Sequence, residues 1–97
     1  MSFEILLTPR ADLALERLPL FLREFVEGHL VRLGEAPHAV ARSAVSSPYP
    51  PGDMVYEFDL IRGGNEWHHL SVFFRYGQDE ATLYVVEIGH TDLDMRF

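Results

Sequence analysis

The spacing of hydrophobic residues changes along the chain in an order that predicts one strand, two helices and three further strands. Alternating apolar residues at positions 3–7 favour a strand, because side chains two residues apart share a face. Thr8 and Pro9 then predict a helix start, since a hydroxyl can cap the first free amides and proline lacks an amide that would go unbonded. This first helix is expected to reach Pro19.

A second helical stretch follows, with apolar residues at intervals of three and four from Leu22 to Leu33. Gly34 is predicted to stop this helix, and Pro37 is predicted to prevent it from resuming. The two helices are expected to form a hairpin whose joint apolar side must be covered by a sheet. Residues 38–53 are rich in turn-forming residues and are predicted to be irregular.

Three stretches in the second half of the chain alternate between apolar and polar residues, which is typical of half-buried strands. They cover residues 54–61, 69–76 and 83–88. Turns are predicted at 63–65, a Gly-Gly-Asn sequence, and at 77–80. Because these connections are short, the three strands are expected to form an antiparallel meander. The pattern therefore predicts an α+β fold in the order β-α-α-β-β-β.

The composition limits the number of domains and the kinds of site. The 97 residues, 47% of them hydrophobic, predict a single domain over residues 1–97. The absence of cysteine excludes disulfides, thiolate metal sites and a cysteine nucleophile. No run approaches the roughly 20 apolar residues that cross a bilayer, and the N-terminus lacks the pattern of a secretory signal. A cytoplasmic protein without a membrane partner is expected.

The charge balance argues against a nucleic-acid-binding surface. The net charge is -7, from 15 acidic residues and 8 basic residues, and all of the basic residues are arginine. Proteins that bind nucleic acid usually carry a positive surface, since neutralising phosphates releases counterions. A local arginine cluster could still bind a phosphate against this acidic background.

Several stretches, taken in order, resemble the RelE/ParE superfamily of bacterial toxins. The resemblance spans nearly the whole chain and includes the opening strand and helix, the central strand and the final strand with its Gly-His ending. The matching segments are LTPRAD at 7–12 with LERLP at 15–19, VFFRYG at 72–77 and LYVVEIGH at 83–90.

This resemblance implies a helical hairpin packed on one face of a curved, mainly antiparallel four-stranded sheet. RelE-like members cleave messenger RNA on the ribosome, and ParE-like members inhibit DNA gyrase. Both are normally silenced by an antitoxin protein, so an antitoxin is the expected partner and a homodimer is the alternative. The ribosome with its mRNA, or gyrase, would be a partner only of an active toxin. No cofactor is expected.

The chain departs from the family where the resemblance implies phosphate chemistry. The family's central strand commonly carries an aromatic residue followed by arginine, and the corresponding positions here are Leu70 and Ser71. Family members often continue after Gly-His with arginine and a later tyrosine, whereas residues 91–97 contain two acids and no tyrosine. Both branches are usually basic. We therefore expect a divergent, toxin-like protein that acts mainly through protein partners, with weak or absent catalysis.

An active ribosome-dependent mRNA endonuclease is the alternative function, and its candidate catalytic residues are His90, Arg75 and Arg62. Cleavage through the 2′-hydroxyl needs a base, an acid and a cation for the extra phosphate charge. His90 would serve as acid or base, and Arg75 or Arg62 as the cation. The structural alternatives are an ion pair between Arg75 and one of the acids on neighbouring strands (Glu57, Asp59 or Glu87) and a backbone-bonded His90. The residues leave enzymatic activity open.

Two further functions also stay open: a gyrase-directed inhibitor and a dimerising structural module unrelated to toxins. No metal site is predicted. The adjacent His68 and His69 must point to opposite faces of a strand, and a ligand set of His69 with Glu57, Asp59 and Glu87 would need a strand register that the sequence does not show. His29 is expected to be a buried, neutral histidine with one hydrogen bond. Phe73 is predicted to lie on the uncovered face of the sheet, where an antitoxin segment or a second copy would bind.

Overall fold

The computed structural model describes residues 2–43 and 53–94, which form a five-stranded sheet with helices on one face. The elements follow the predicted order, with two short additions between the second helix and the meander. They are β1 (Glu4–Leu7), α1 (Pro9–Glu16), α2 (Leu20–Glu35), α3 (Pro37–Val40), β2 (Arg42–Ser43), β3 (Met54–Arg62), β4 (Glu66–Tyr76) and β5 (Thr82–Asp94).

The sheet has the strand order β1-β5-β4-β3-β2, and only β1 runs parallel to its neighbour. The predicted α+β fold and its mainly antiparallel sheet are confirmed. The two-residue strand β2, which pairs with Met54 and Val55 at the start of β3, adds a fifth strand that was not predicted. Two residues are too few to show a hydrophobic period, so no sequence pattern could reveal it.

The first helix begins as predicted. The Thr8 hydroxyl accepts a hydrogen bond from the Ala11 amide at 3.3 Å, and Pro9 is the first helical residue. Thr8 also donates its backbone amide to the carbonyl of Val85, which fixes the start of α1 against β5. The strand, the cap and the helix are therefore held together at one point.

The predicted end of the second helix is wrong. α2 continues through Gly34 to Glu35, and Pro37 begins the one-turn helix α3 instead of ending helical structure. Gly34 serves a close approach, because its carbonyl accepts from the Phe3 amide at 2.7 Å and a Cβ there would lie 3.1 Å from the Phe3 carbonyl oxygen. The fixed φ of Pro37 suits a first helical turn as well as it suits a break.

The core lies between the helices and the sheet face that they cover. Alternate residues of β4 point into it, and the side chains of Leu70, Val72 and Phe74 are fully buried. Helix α2 contributes Leu22, Val26 and other buried residues to the same cluster. In the described part of the chain, no helix is long and apolar enough to span a membrane.

The opposite side of the sheet, the open face, carries the residues that alternate with the core positions of β3 and β4. These include Glu57, Asp59, His69, Ser71, Phe73 and Arg75.

Candidate functional site

The structure divides the predicted site residues between two regions. Arg62 lies at the end of β3 opposite Glu66, and His90 lies on β5, both on the side of the sheet that the helices pack against. Arg75 lies on the open face near the other end of β4. Arg62 and His90 are therefore brought into one cluster, and Arg75 is not part of it.

The histidine cluster consists of Arg62, Glu66, His68 and His90. Glu66 Oε2 lies 3.1 Å from Arg62 Nε and 2.8 Å from His68 Nε2. The second ring nitrogen of His68, Nδ1, lies 3.0 Å from His90 Nε2. The turn at 63–65 places Arg62 opposite Glu66, and His68 follows two residues later on the same face.

The hydrogen-bond partners of His68 and His90 determine which ring nitrogens in the histidine cluster carry protons. His68 donates from Nε2 to the Glu66 carboxylate, because a carboxylate can only accept. One further proton lies between His68 Nδ1 and His90 Nε2, since two bare nitrogens would repel each other. Burial, followed by repulsion from His68, lowers the pKa of His90 below its usual value. Because His90 is therefore neutral at pH 7, it could exchange a proton with a bound group.

The Arg62 guanidinium is already engaged on two sides. It pairs with Glu66 and lies 3.8 Å from the ring centroid of Phe21, which is a cation–π distance. The Phe21 ring also meets the buried His68 ring edge-on at 5.5 Å. Helix α2 thus holds one end of the histidine cluster in place, and the charge of Arg62 is balanced within it.

The open face carries a second group of charges around His69. Its Nε2 lies 2.9 Å from Glu57 Oε2, and its Nδ1 lies 2.5 Å from Asp59 Oδ1. Glu57 also pairs with Arg42 of β2. The hydrogen bond to Asp59 is the main cause that raises the pKa of His69. His68 and His69 point to opposite faces, as predicted, and no group in the described ranges has the geometry of a metal site.

Arg75 pairs with Asp53, not with the acids expected from the strand pattern. Its Nε lies 3.2 Å from Asp53 Oδ1, and the Asp53 side chain is almost fully buried. The register explains the difference, because Met54 lies opposite Phe74 and so carries the preceding Asp53 next to Arg75. The Arg75 charge is therefore matched by a buried carboxylate.

In the described part of the chain, each arginine whose side chain reaches the open face forms an ion pair. Arg42 pairs with Glu57, Arg75 pairs with Asp53, and Arg10 pairs with Glu87. The central position where the family resemblance implies an arginine is Ser71, which lies opposite Gly89. Within residues 2–43 and 53–94, this face therefore offers no net positive site for a phosphate.

His29 lies on the covered side of the sheet and is half-buried. Its Nδ1 lies 2.5 Å from the Tyr56 hydroxyl, and its ring stacks on Phe58 at a centroid distance of 3.9 Å. Burial, with a smaller contribution from Arg32, lowers the pKa of His29. These contacts agree with the expected neutral histidine that joins helix α2 to the sheet.

Glu66 and His68 are the members of the histidine cluster that the sequence did not indicate. A sequence signal exists, since His68 and Glu66 share a strand face and the short turn at 63–65 returns the chain beside Arg62. The contact with His90 depends on the pairing of β4 with β5, which contains a bulge between Phe73 and Phe74. No residue pattern fixed that register.

Comparison with solved structures identifies the fold. A chain of the toxin–antitoxin complex RelBE2 from Mycobacterium tuberculosis superposes with a TM-score of 0.69 at 17% identity, covering 94% of this chain and 100% of that chain. The E. coli toxin RelE, an arginine-to-alanine double mutant in the free state, gives 0.62 at 18% identity, covering 92% of this chain and 83% of that chain. No family profile and no curated protein matches the sequence. The chain therefore has the fold of these two structures, which confirms the fold that the family resemblance implied.

Proposed function

We propose that this chain is a divergent RelE-type protein that acts through a protein partner and has weak or no RNA-cleaving activity. The shared fold supports a toxin-like origin, and one of the similar structures is a toxin–antitoxin complex. The observation that carries the proposal is the ion pairing of the arginines on the open face.

Phosphodiester cleavage builds negative charge on the phosphate, and nucleases stabilise it with cations that are held ready for that purpose. An arginine that already faces a carboxylate supplies little net attraction. The carboxylates of Asp53, Glu57 and Glu87 match the charges of these arginines, and Asp59 pairs with His69, so the described part of this face holds no cation in excess. Such a face is unsuited to RNA, whose phosphates need unpaired cations.

A protein segment fits the open face better. Exposed apolar side chains lie among its charges, including Ile61 of β3 and the neighbouring pair Leu6 and Tyr84 of β1 and β5. Apolar spots with paired charges around them are common at protein–protein interfaces, where uncompensated charge is avoided. We propose that a segment of an antitoxin-like protein covers this face.

Inducing the chain alone in a bacterium tests the proposal. We expect growth and mRNA half-lives to match those of an empty-vector strain, while an active RelE toxin induced in parallel arrests growth. Immunoblotting confirms that the chain accumulates. Rapid arrest accompanied by ribosome-dependent mRNA cleavage would contradict the proposal.

The contact between His68 and His90 favours a second candidate, RNA cleavage with His90 as acid or base. Arg62 would be the cation, and it would have to exchange its pairing with Glu66 for the phosphate. Inducing the His90→Ala variant in the same growth experiment tests this candidate. Relief of a growth arrest by His90→Ala, but not by Arg75→Ala, would assign cleavage to this cluster. An arrest that both variants retain would exclude it, and a gyrase supercoiling assay would then test the remaining toxin activity.

A further inference from the structure

An aromatic pocket lies at the end of the sheet away from the histidine cluster. Its volume is about 590 Å³. It lies at the junction of β1, α3 and the turn between β4 and β5, on the side of the sheet that the helices cover. The lining residues are Phe3, His38, Tyr76, Gly77, Gln78 and Glu80.

Three rings form the wall of the pocket. Tyr76 and His38 stack at a centroid distance of 5.2 Å, and Phe3 meets Tyr76 edge-on at 6.0 Å. The Tyr76 hydroxyl and His38 Nδ1 are 3.1 Å apart and share a hydrogen bond. Each ring is thus held by the other two, so the aromatic wall is formed before any ligand arrives.

Hydrogen bonds also fix the turn between β4 and β5, which forms the rim of the pocket. The carboxylate of Asp79 accepts hydrogen bonds from the amides of Ala81 and Thr82 and from the Thr82 hydroxyl. These bonds lower the pKa of Asp79, with the Ala81 amide the largest cause. They use Asp79 to fix the turn, which leaves the next residue, Glu80, as the carboxylate that lines the pocket.

Glu80 combines an unusual backbone with an available charge. Its φ is 59°, in the left-handed region that residues with a Cβ seldom adopt. Such outliers concentrate where the surrounding structure holds a residue for a purpose. Among the residues that the structure describes, Glu80 forms no ion pair, although its side chain lies at the pocket rim.

We propose that the aromatic pocket binds the guanidinium group of an arginine side chain presented by a partner protein. Ring faces attract cations, and a carboxylate at the rim adds a charged hydrogen bond. Guanidinium suits this arrangement because it is planar, stacks on aromatic rings and pairs with a carboxylate through two hydrogen bonds. The pocket is separate from the open face, so this inference does not rest on the proposed function.

A nucleobase could also stack on the rings, but the charges oppose it. A nucleotide carries phosphate, and the carboxylate of Glu80 lines the pocket. The net charge of -7 adds to the repulsion. A cationic ligand is attracted both by the carboxylate at the rim and by the net negative charge. The geometry and the charge therefore favour an arginine side chain.

Titration of the full chain with N-acetyl-arginine amide, followed by NMR at low ionic strength, tests the proposal. We expect shifts at Phe3, His38, Tyr76 and Glu80. The matched ligand is N-acetyl-citrulline amide, which has nearly the same shape and no charge, and we expect it to bind at least about tenfold more weakly. Equal binding of the two ligands would overturn the proposal, as would binding of guanosine monophosphate at these residues in place of the arginine amide.

Variants separate the pocket from the general charge of the protein. Glu80→Gln should weaken arginine-amide binding about tenfold, because it removes the carboxylate and keeps the side-chain length. The control, Glu24→Gln, changes the net charge equally at an exposed position of α2 and should leave binding unchanged. Equal losses in both variants would show attraction to overall charge and would overturn the proposal. Phe3→Leu, which removes one ring, should also weaken binding, and its fold can be checked from the same spectra.

Discussion

The backbone at Glu80 adopts a φ of 59°. The residue at this position supplies a charge at the pocket rim, and its Cβ lowers the stability of the fold. Left-handed backbone costs a residue with a Cβ about 1–2 kcal/mol, whereas glycine avoids most of that cost. We expect Glu80→Gly to raise the free energy of unfolding by about 1 kcal/mol, as measured by urea denaturation.

Glu80→Gln keeps the same backbone requirement and serves as the control. Its stability should stay within about 0.5 kcal/mol of the parent chain, as is usual for a surface substitution. A Glu80→Gly variant that is no more stable than Glu80→Gln would show that the backbone at this turn is not strained.

Single residues also show where sequence reasoning reached its limit. The alternation in β4 correctly placed His68 and His69 on opposite faces, because that inference needs only the two-residue period. The partners of these residues depended on register. Arg75 was expected beside acids of neighbouring strands and instead meets Asp53, just before β3 begins. Register arises from turn geometry and core packing together, so local spacing could not supply it.

At the scale of elements, helix α2 contains two glycines with opposite requirements. A Cβ added at Gly28 would have nothing within 4 Å, while a Cβ at Gly34 would lie 3.1 Å from the Phe3 carbonyl oxygen. Alanine is favoured over glycine by about 1 kcal/mol inside a helix. We expect Gly28→Ala to raise the free energy of unfolding by about 0.5–1 kcal/mol.

Gly34→Ala is the matched comparison in the same helix. The Phe3 backbone is held by its own hydrogen bond to Gly34, so it cannot retreat without loosening β1. We expect this variant to gain nothing or to lose stability in the same denaturation measurement. Equal gains for Gly28→Ala and Gly34→Ala would contradict the close approach of β1 to α2.

The same helix explains why element boundaries were harder to predict than element types. The apolar stripe from Leu22 to Leu33 correctly indicated a helix, since its period repeats over several turns. A glycine such as Gly34 can end a helix or allow a close contact, and the local sequence does not distinguish the two. Likewise, a proline such as Pro37 can end a helix or begin a new one. Contacts with Phe3, distant in sequence, decided the first case.

For the molecule as a whole, three histidines make stability depend on pH in opposite directions. The pKa of His69 is raised above 6.5, so its stabilisation is complete below that pH and is lost as pH rises through the folded value. The pKa values of His29 and His90 are lowered, so the unfolded chain takes up protons first and stability falls as pH drops below 6.5. We expect a maximum from these histidines near pH 6.5.

His69→Gln isolates one side of this dependence. Thermal unfolding followed across the pH range should show that the decline above pH 6.5 becomes smaller in this variant, while the decline below it persists. An unchanged alkaline decline would mean that His69 does not bind its proton more tightly in the folded chain.

The overall topology was predictable because it rests on the order of hydrophobic periods, which are properties of whole segments. The three strands of the meander and the two helices each gave several matching positions. The added elements α3 and β2 are only four and two residues long, which is too short for any period to be read. Residues 44–52, in the segment predicted to be irregular, lie outside the described residues.

The parallel pairing of β1 with β5 has a consequence for how the chain is made. Glu4 lies opposite Thr82, and the Thr8 hydroxyl meets the carbonyl of Val86 across 78 positions of sequence. Strand β1 therefore has no neighbour in the sheet until β5 has been synthesised. Contacts of such long range form slowly and late in folding. We expect a nascent chain to have neither its edge strand nor its aromatic pocket in place, so any partner that recognises them must act after synthesis of β5.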